Sequence, residues 1–105
     1  METARYIMSI FRVKTMIVLS WGFHNPRAIE NGLLFKVQGF KFHGTVKVEY
    51  DEGTDLFNIT FFKGNKAVEA TKGVYVDMLV DVIDNYVEKT DDYEDRVNEE
   101  YSLSV

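Results

Sequence analysis

Cysteine is absent from the 105 residues, so the chain carries no disulfide and no thiolate metal site. This fits a reducing compartment. Proline occurs once, at Pro26. The longest uninterrupted aliphatic run in the N-terminal part is residues 16–19, far short of the roughly 20 apolar residues of a membrane helix. No secretory pattern marks the N-terminus. Histidine occurs only at His24 and His43, which fall on different predicted elements. Gly39, Gly44, Gly53, Gly64 and Gly73 are isolated turn or bulge residues and lack the spacing of a phosphate-cradling loop. With no nucleophile–base set and no ligand cluster, the sequence argues against an enzyme and implies no cofactor and no metal.

Charge is present but unevenly placed. The net charge is −5. Residues 1–87 hold ten basic and ten acidic side chains, so the excess lies in residues 88–105, where seven acids face Lys89 and Arg96. A chain this long fits one domain and buries about two-thirds of its unfolded surface. The composition divides it into a single α+β domain over 1–89 and an acidic tail over 90–105. The tail reads as a short helix around Tyr93, Val97 and Tyr101 or as a disordered end.

Residues 33–71 organise the rest. Their apolar positions alternate with period two, the pattern of strands with one buried face. A two-residue turn at Gln38-Gly39 would place Val37 opposite Phe40 and Phe35 opposite Phe42. The loop over residues 51–55 would pair Tyr50 with Phe57, Val48 with Ile59 and Val46 with Phe61. A turn at Gly64-Asn65 would set Phe61 against Val68 and Ile59 against Ala70. Together these put the rings and branched side chains on one face. Gly44 would mark a bulge within the second strand. Lys36, Lys41, His43, Thr45, Lys47, Glu49, Phe62, Ala67, Glu69 and Thr71 would look outward, with Lys36 directly facing Lys41. Acids alternate near Gly53, but residues 51–55 lack the length and the closing Glu of a calcium loop, and read as a hairpin turn.

The flanks read as helices. Thr3 can cap a helix in which Ile7, Phe11, Lys14 and Val18 follow helical spacing to about Ser20, although the pair Ile17-Val18 also suits a strand. Gly22 is placed as a C′ residue and Pro26 as a stop beyond it. Residues 24–27 read as a connector or recognition loop, and 28–32 as one helical turn ended by glycine. Residues 74–88 form an amphipathic helix with Val76, Leu79, Val80, Ile83 and Val87 on one side and Asp77, Asp81, Asp84 and Glu88 on the other. The expected fold is therefore a two-layer helix–β–β–β–β–helix, a four-stranded antiparallel meander with both terminal helices on its aromatic face.

The stretches 19–26, 37–41, 50–57 and 79–84 resemble a group of small proteins of about this length from gut anaerobic bacteria. The resemblance spans roughly residues 15–88. It implies a cytoplasmic bacterial protein, and brings no activity, cofactor or site residue with it.

The residues themselves point first to a small non-enzymatic binding or adaptor module with a protein partner. Its contacts would come from Trp21, His24, Asn25 and Arg27, or from the outward sheet face through Lys36, Lys41, His43, Lys47 and Phe62. The usual burial of such rings favours Trp21 and Phe23 as core, folded back on the sheet. A second reading is nucleic-acid binding through the same lysines and His43. A third is a DNA-mimicking acidic inhibitor using Asp77, Asp81, Asp84 and the tail acids. No membrane association is expected.

Overall fold

Ala4, Ile7 and Phe11 recur at helical spacing and are buried along one side of helix α1 (Glu2–Val13) in the computed structural model, which describes residues 2–88. The order that follows is α2 (Thr15–Ser20), β1 (His24–Ile29), β2 (Gly32–Gln38), β3 (His43–Asp51), β4 (Leu56–Lys63), β5 (Lys66–Val74), a 3-10 turn (Val76–Met78) and α3 (Leu79–Val87). The fold is α+β, with a five-stranded antiparallel sheet in the order β1-β2-β3-β4-β5. Four strands were expected; β1 is the fifth. The acidic segment 90–105 lies outside the described residues.

The N-terminal helix is broken where one continuous helix was expected. Lys14 leaves helical geometry at φ −118° and ψ 46°. It holds a position on the apolar stripe between Phe11 and Val18, where an ammonium group is rarely buried. The break lets Lys14 stay exposed while Phe11 and Val18 both reach the core. Gly22 takes φ +67° just past the end of α2, as a C′ residue does.

The central register follows the sequence closely. Tyr50 pairs with Phe57, Val48 with Ile59 and Val46 with Phe61. Phe35, Val37, Val46, Val48, Phe57, Ile59 and Phe61 are buried on one face, in one cluster with the inner sides of α1, α2 and α3. Phe35 meets Phe11 edge-on at 5.5 Å and stacks with Trp21 at 6.4 Å. Phe61 lies 4.1 Å from Tyr86 of α3. Full burial of each such side chain contributes about 1.5–3 kcal/mol.

One turn and one strand register differ from expectation. Val37 pairs with Gly44 and Phe35 with Val46, so residues 39–42 form a longer loop than a two-residue turn. The Val87 carbonyl accepts from the Lys41 and Phe42 amides at 2.8 and 3.2 Å and holds that loop open. The register slip is four residues, an even number, so every strand side chain keeps its face. At this turn Phe40 leaves the predicted face and is 62% exposed. Gly44 is not at a bulge, because the β2–β3 register runs through it unbroken. A Cβ there would collide with the Phe62 carbonyl, so glycine is needed for close approach.

At β5 the turn is as predicted, with Lys63 paired to Lys66, but the register shifts between Phe61 and Phe62. Phe61 then faces Glu69, Ile59 faces Thr71, and Ala70 pairs with Thr60. Glu69 and Thr71 therefore turn to the helix side, and Val68 and Ala70 leave the core. β5 also runs on to Val74, so α3 starts five residues later than predicted. Tyr75 is extended at ψ 149° and feeds the 3-10 turn.

Candidate functional site: the open sheet face

One face of the sheet is packed under the helices. The other is left open by the described residues, and its chemistry is set by the alternate residues of the same strands. In one row across it His24 pairs with Lys36, Lys36 with Thr45, and Thr45 with Phe62. In the next, Arg27 pairs with Leu34, Leu34 with Lys47, and Lys47 with Thr60.

β1 corrects the reading of residues 24–32 as a loop and a helical turn. Ile29 pairs with Gly32 across a tight hairpin, and Asn31 takes φ +59°. The register between His24↔Lys36 and Arg27↔Leu34 contains one extra residue in β1, with Asn25 at φ +52°. His24 and Arg27 are three apart and would point to opposite faces of a regular strand. The bulge at Asn25-Pro26 brings both to the open face, as bulges re-aim side chains elsewhere.

Two shallow hollows adjoin there. One of about 480 Å³ is lined by Asn25, Arg27, Leu34, Lys36 and Thr45 among others. The second, of about 370 Å³, includes His24, His43, Lys36 and Thr45. Lys36 and Thr45 belong to both, so the two form a continuous trough. The His24 Nδ1 lies 2.7 Å from the Gly22 carbonyl oxygen. That oxygen can only accept, so Nδ1 carries the proton and Nε2 is left for a ligand. Lys47 Nζ sits 3.4 Å from Glu49 Oε1 and 5.6 Å from the centroid of Phe62. With both side chains partly exposed, that ion pair contributes at most about 1 kcal/mol and leaves Lys47 recruitable.

Two sequence candidates are not part of this face. Trp21 is fully buried, and its Nε1 donates to Asp84 Oδ1 at 3.0 Å. Lys41 lies in the 39–42 loop, and its Nζ donates to the Asn85 carbonyl at 2.5 Å near the C-terminus of α3, where cations are favoured. It does not face Lys36. His24, Asn25, Arg27, Lys36, His43, Lys47 and Phe62 are brought together, and Leu34 and Thr45 join them.

The acidic side of α3 is less free than its spacing suggests. Asp84 accepts from Trp21, and Glu88 Oε2 accepts from the Phe40 amide at 2.7 Å. Asp77 and Asp81 remain exposed. Among the described residues no three His, Asp or Glu side chains converge as a metal ion needs, and no helix is long and apolar enough to cross a membrane. Comparison with known protein families, curated proteins and solved structures finds no match in any of the three.

Proposed function

We propose that this chain is a small non-enzymatic binding module that takes an extended anionic partner, an acidic protein segment, on the open face of its sheet. The observation that carries this reading is the β1 bulge, which adds His24 and Arg27 to the face already holding Lys36, His43 and Lys47. A trough bordered by cations across three strands suits an extended chain better than a compact ligand. Arg27 offers a planar fork for carboxylates, and Lys36 a mobile point charge.

Single-stranded nucleic acid is the second reading, favoured by Phe62. Its ring shares a row with Thr45 and Lys36, beneath Lys47, and a base can stack on such a ring between cations. Fluorescence anisotropy at low salt, with a labelled oligoglutamate peptide and a labelled oligothymidylate, tests both. The triple variant Arg27→Glu, Lys36→Glu, Lys47→Glu should lose binding while keeping its fold. Phe62→Ala should weaken the oligonucleotide alone. Failure of the intact chain to bind either probe would remove both readings, because ionic attraction is strongest at low salt.

A further inference from the structure

A further hollow among the described residues lies away from the open sheet face. It has a volume of about 860 Å³ and sits between the first turns of α1, the β3–β4 hairpin and the segment after β5. That volume is in the range of small-molecule sites. Three tyrosines, Tyr6, Tyr50 and Tyr75, line it from three different elements, and so do three carboxylates, Glu2, Asp55 and Asp77. Its lining among the described residues contains no Lys, Arg or His. This is the chemical opposite of the open face.

The tyrosines are unusually placed for an ordinary surface. Tyr75 is 66% exposed and Tyr6 is 51% exposed, yet both border one concavity. Tyr50 is held in position: its hydroxyl donates to the Asp55 carboxylate and its ring packs 5.4 Å from Phe57, which also lines the hollow. Glu2 stands in the first turn of α1 and offsets the positive end of that helix.

We propose that this hollow binds an organic ammonium ion. Aromatic faces attract a cation through their ring quadrupoles within about 6 Å. Three carboxylates without an ion-pair partner among the described residues raise the local concentration of positive charge. An inorganic divalent ion would need several oxygens closing around it at bonding distance, and no such convergence exists among the described residues. A neutral apolar ligand would leave the carboxylates facing its surface. The alkyl groups of an ammonium ion fit the rings, while its diffuse charge answers the acids without demanding direct coordination. The site is independent of the anion-binding face, and either can fail alone.

The test is a titration of the full chain with choline, followed by amide chemical shifts, against its neutral isostere 3,3-dimethylbutan-1-ol and sodium chloride at matched ionic strength. Saturable shifts centred on Tyr6, Tyr50 and Tyr75 are expected with choline, with the alcohol binding roughly ten-fold more weakly. Tyr75→Ala and Tyr6→Ala, both at exposed positions, should each weaken choline binding by about five- to ten-fold with an unchanged circular dichroism spectrum. Equal binding of choline and the alcohol would overturn the proposal. So would shifts that never saturate or that centre elsewhere, or tyrosine variants that bind choline like the parent.

Discussion

β1 and β5 are the two edges of one sheet, and their ladders carry register irregularities, one at β1 and two at β5, whereas the β2–β3 and β3–β4 ladders carry none. The irregularities act in opposite directions. At β1 the extra residue turns His24 and Arg27 together onto the open face. At β5 the shift between Phe61 and Phe62 turns Glu69 and Thr71 toward the helix layer, where they border a small hollow with Val82, Asn85 and Tyr86. Central strands are pinned because half of their side chains must enter a dry core, and a slip of one residue would exchange the two faces. Edge strands with little burial lack that constraint. Their phase is free to be set by local backbone geometry, and in β1 this is what assembles the candidate site.

The largest effect should come from contrasting centre with edge. Ile59→Ala removes a fully buried side chain of β4 and should cost about 2–5 kcal/mol in urea denaturation. Val68→Ala, at the β5 bulge and 42% exposed, should stay within about 0.5 kcal/mol. Similar losses at the two sites would break the distinction. Gly44→Ala tests whether the central ladder is also tight at the backbone. The added methyl meets the Phe62 carbonyl and should destabilise by about 1–3 kcal/mol, and a neutral substitution would show the ladder to be looser than described. Asp84→Ala should cost about 1–3 kcal/mol by the same assay, because it strands the buried Trp21 indole N–H.

The smallest expected effect is a titration. The Asp55 carboxylate that accepts the Tyr50 hydroxyl holds that phenol above its ordinary pKa of 10.0, helped by the nearby charges of Glu52 and Asp51. The raised value means the bond's contribution is fully present at neutral pH. It is lost only as pH climbs through the raised folded-state pKa. Ultraviolet titration of the phenols should show a late ionisation that Tyr50→Phe removes, and Asp55→Asn should move it back toward the ordinary range. An unmoved titration curve would remove Asp55 as the cause.

How much of this was legible in the sequence differs between the same regions. The β3–β4 pairing was readable because both strands alternate cleanly around a short polar loop. The β2–β3 turn was misplaced, since the Val87 carbonyl that holds residues 39–42 comes from a distant helix and leaves no local mark. β1 was missed because its residues are exposed or half-buried throughout, so it has no hydrophobic alternation to read. Its one local signal is Asn31, a residue type that tolerates the φ of +59° it takes in the turn between Ile29 and Gly32, and the neighbouring Gly32 suits a helix stop equally well. The β5 phase was lost for a related reason: no glycine or proline marks the shift near Val68. Of the candidate residues, those on β2, β3 and β4 were placed by alternation alone. His24 and Arg27 needed the bulge, and Trp21 and Lys41 were claimed by contacts with α3.

The most direct measurement compares one charge reversal at each edge. Arg27→Glu and Lys72→Glu change the net charge equally, but Lys72 lies on β5, at the far side of the sheet from the trough. Affinity for the oligoglutamate probe should fall roughly ten-fold or more with Arg27→Glu and less than about two-fold with Lys72→Glu. Equal losses from the two variants would mean that overall charge, and not the face assembled by the β1 bulge, attracts the partner.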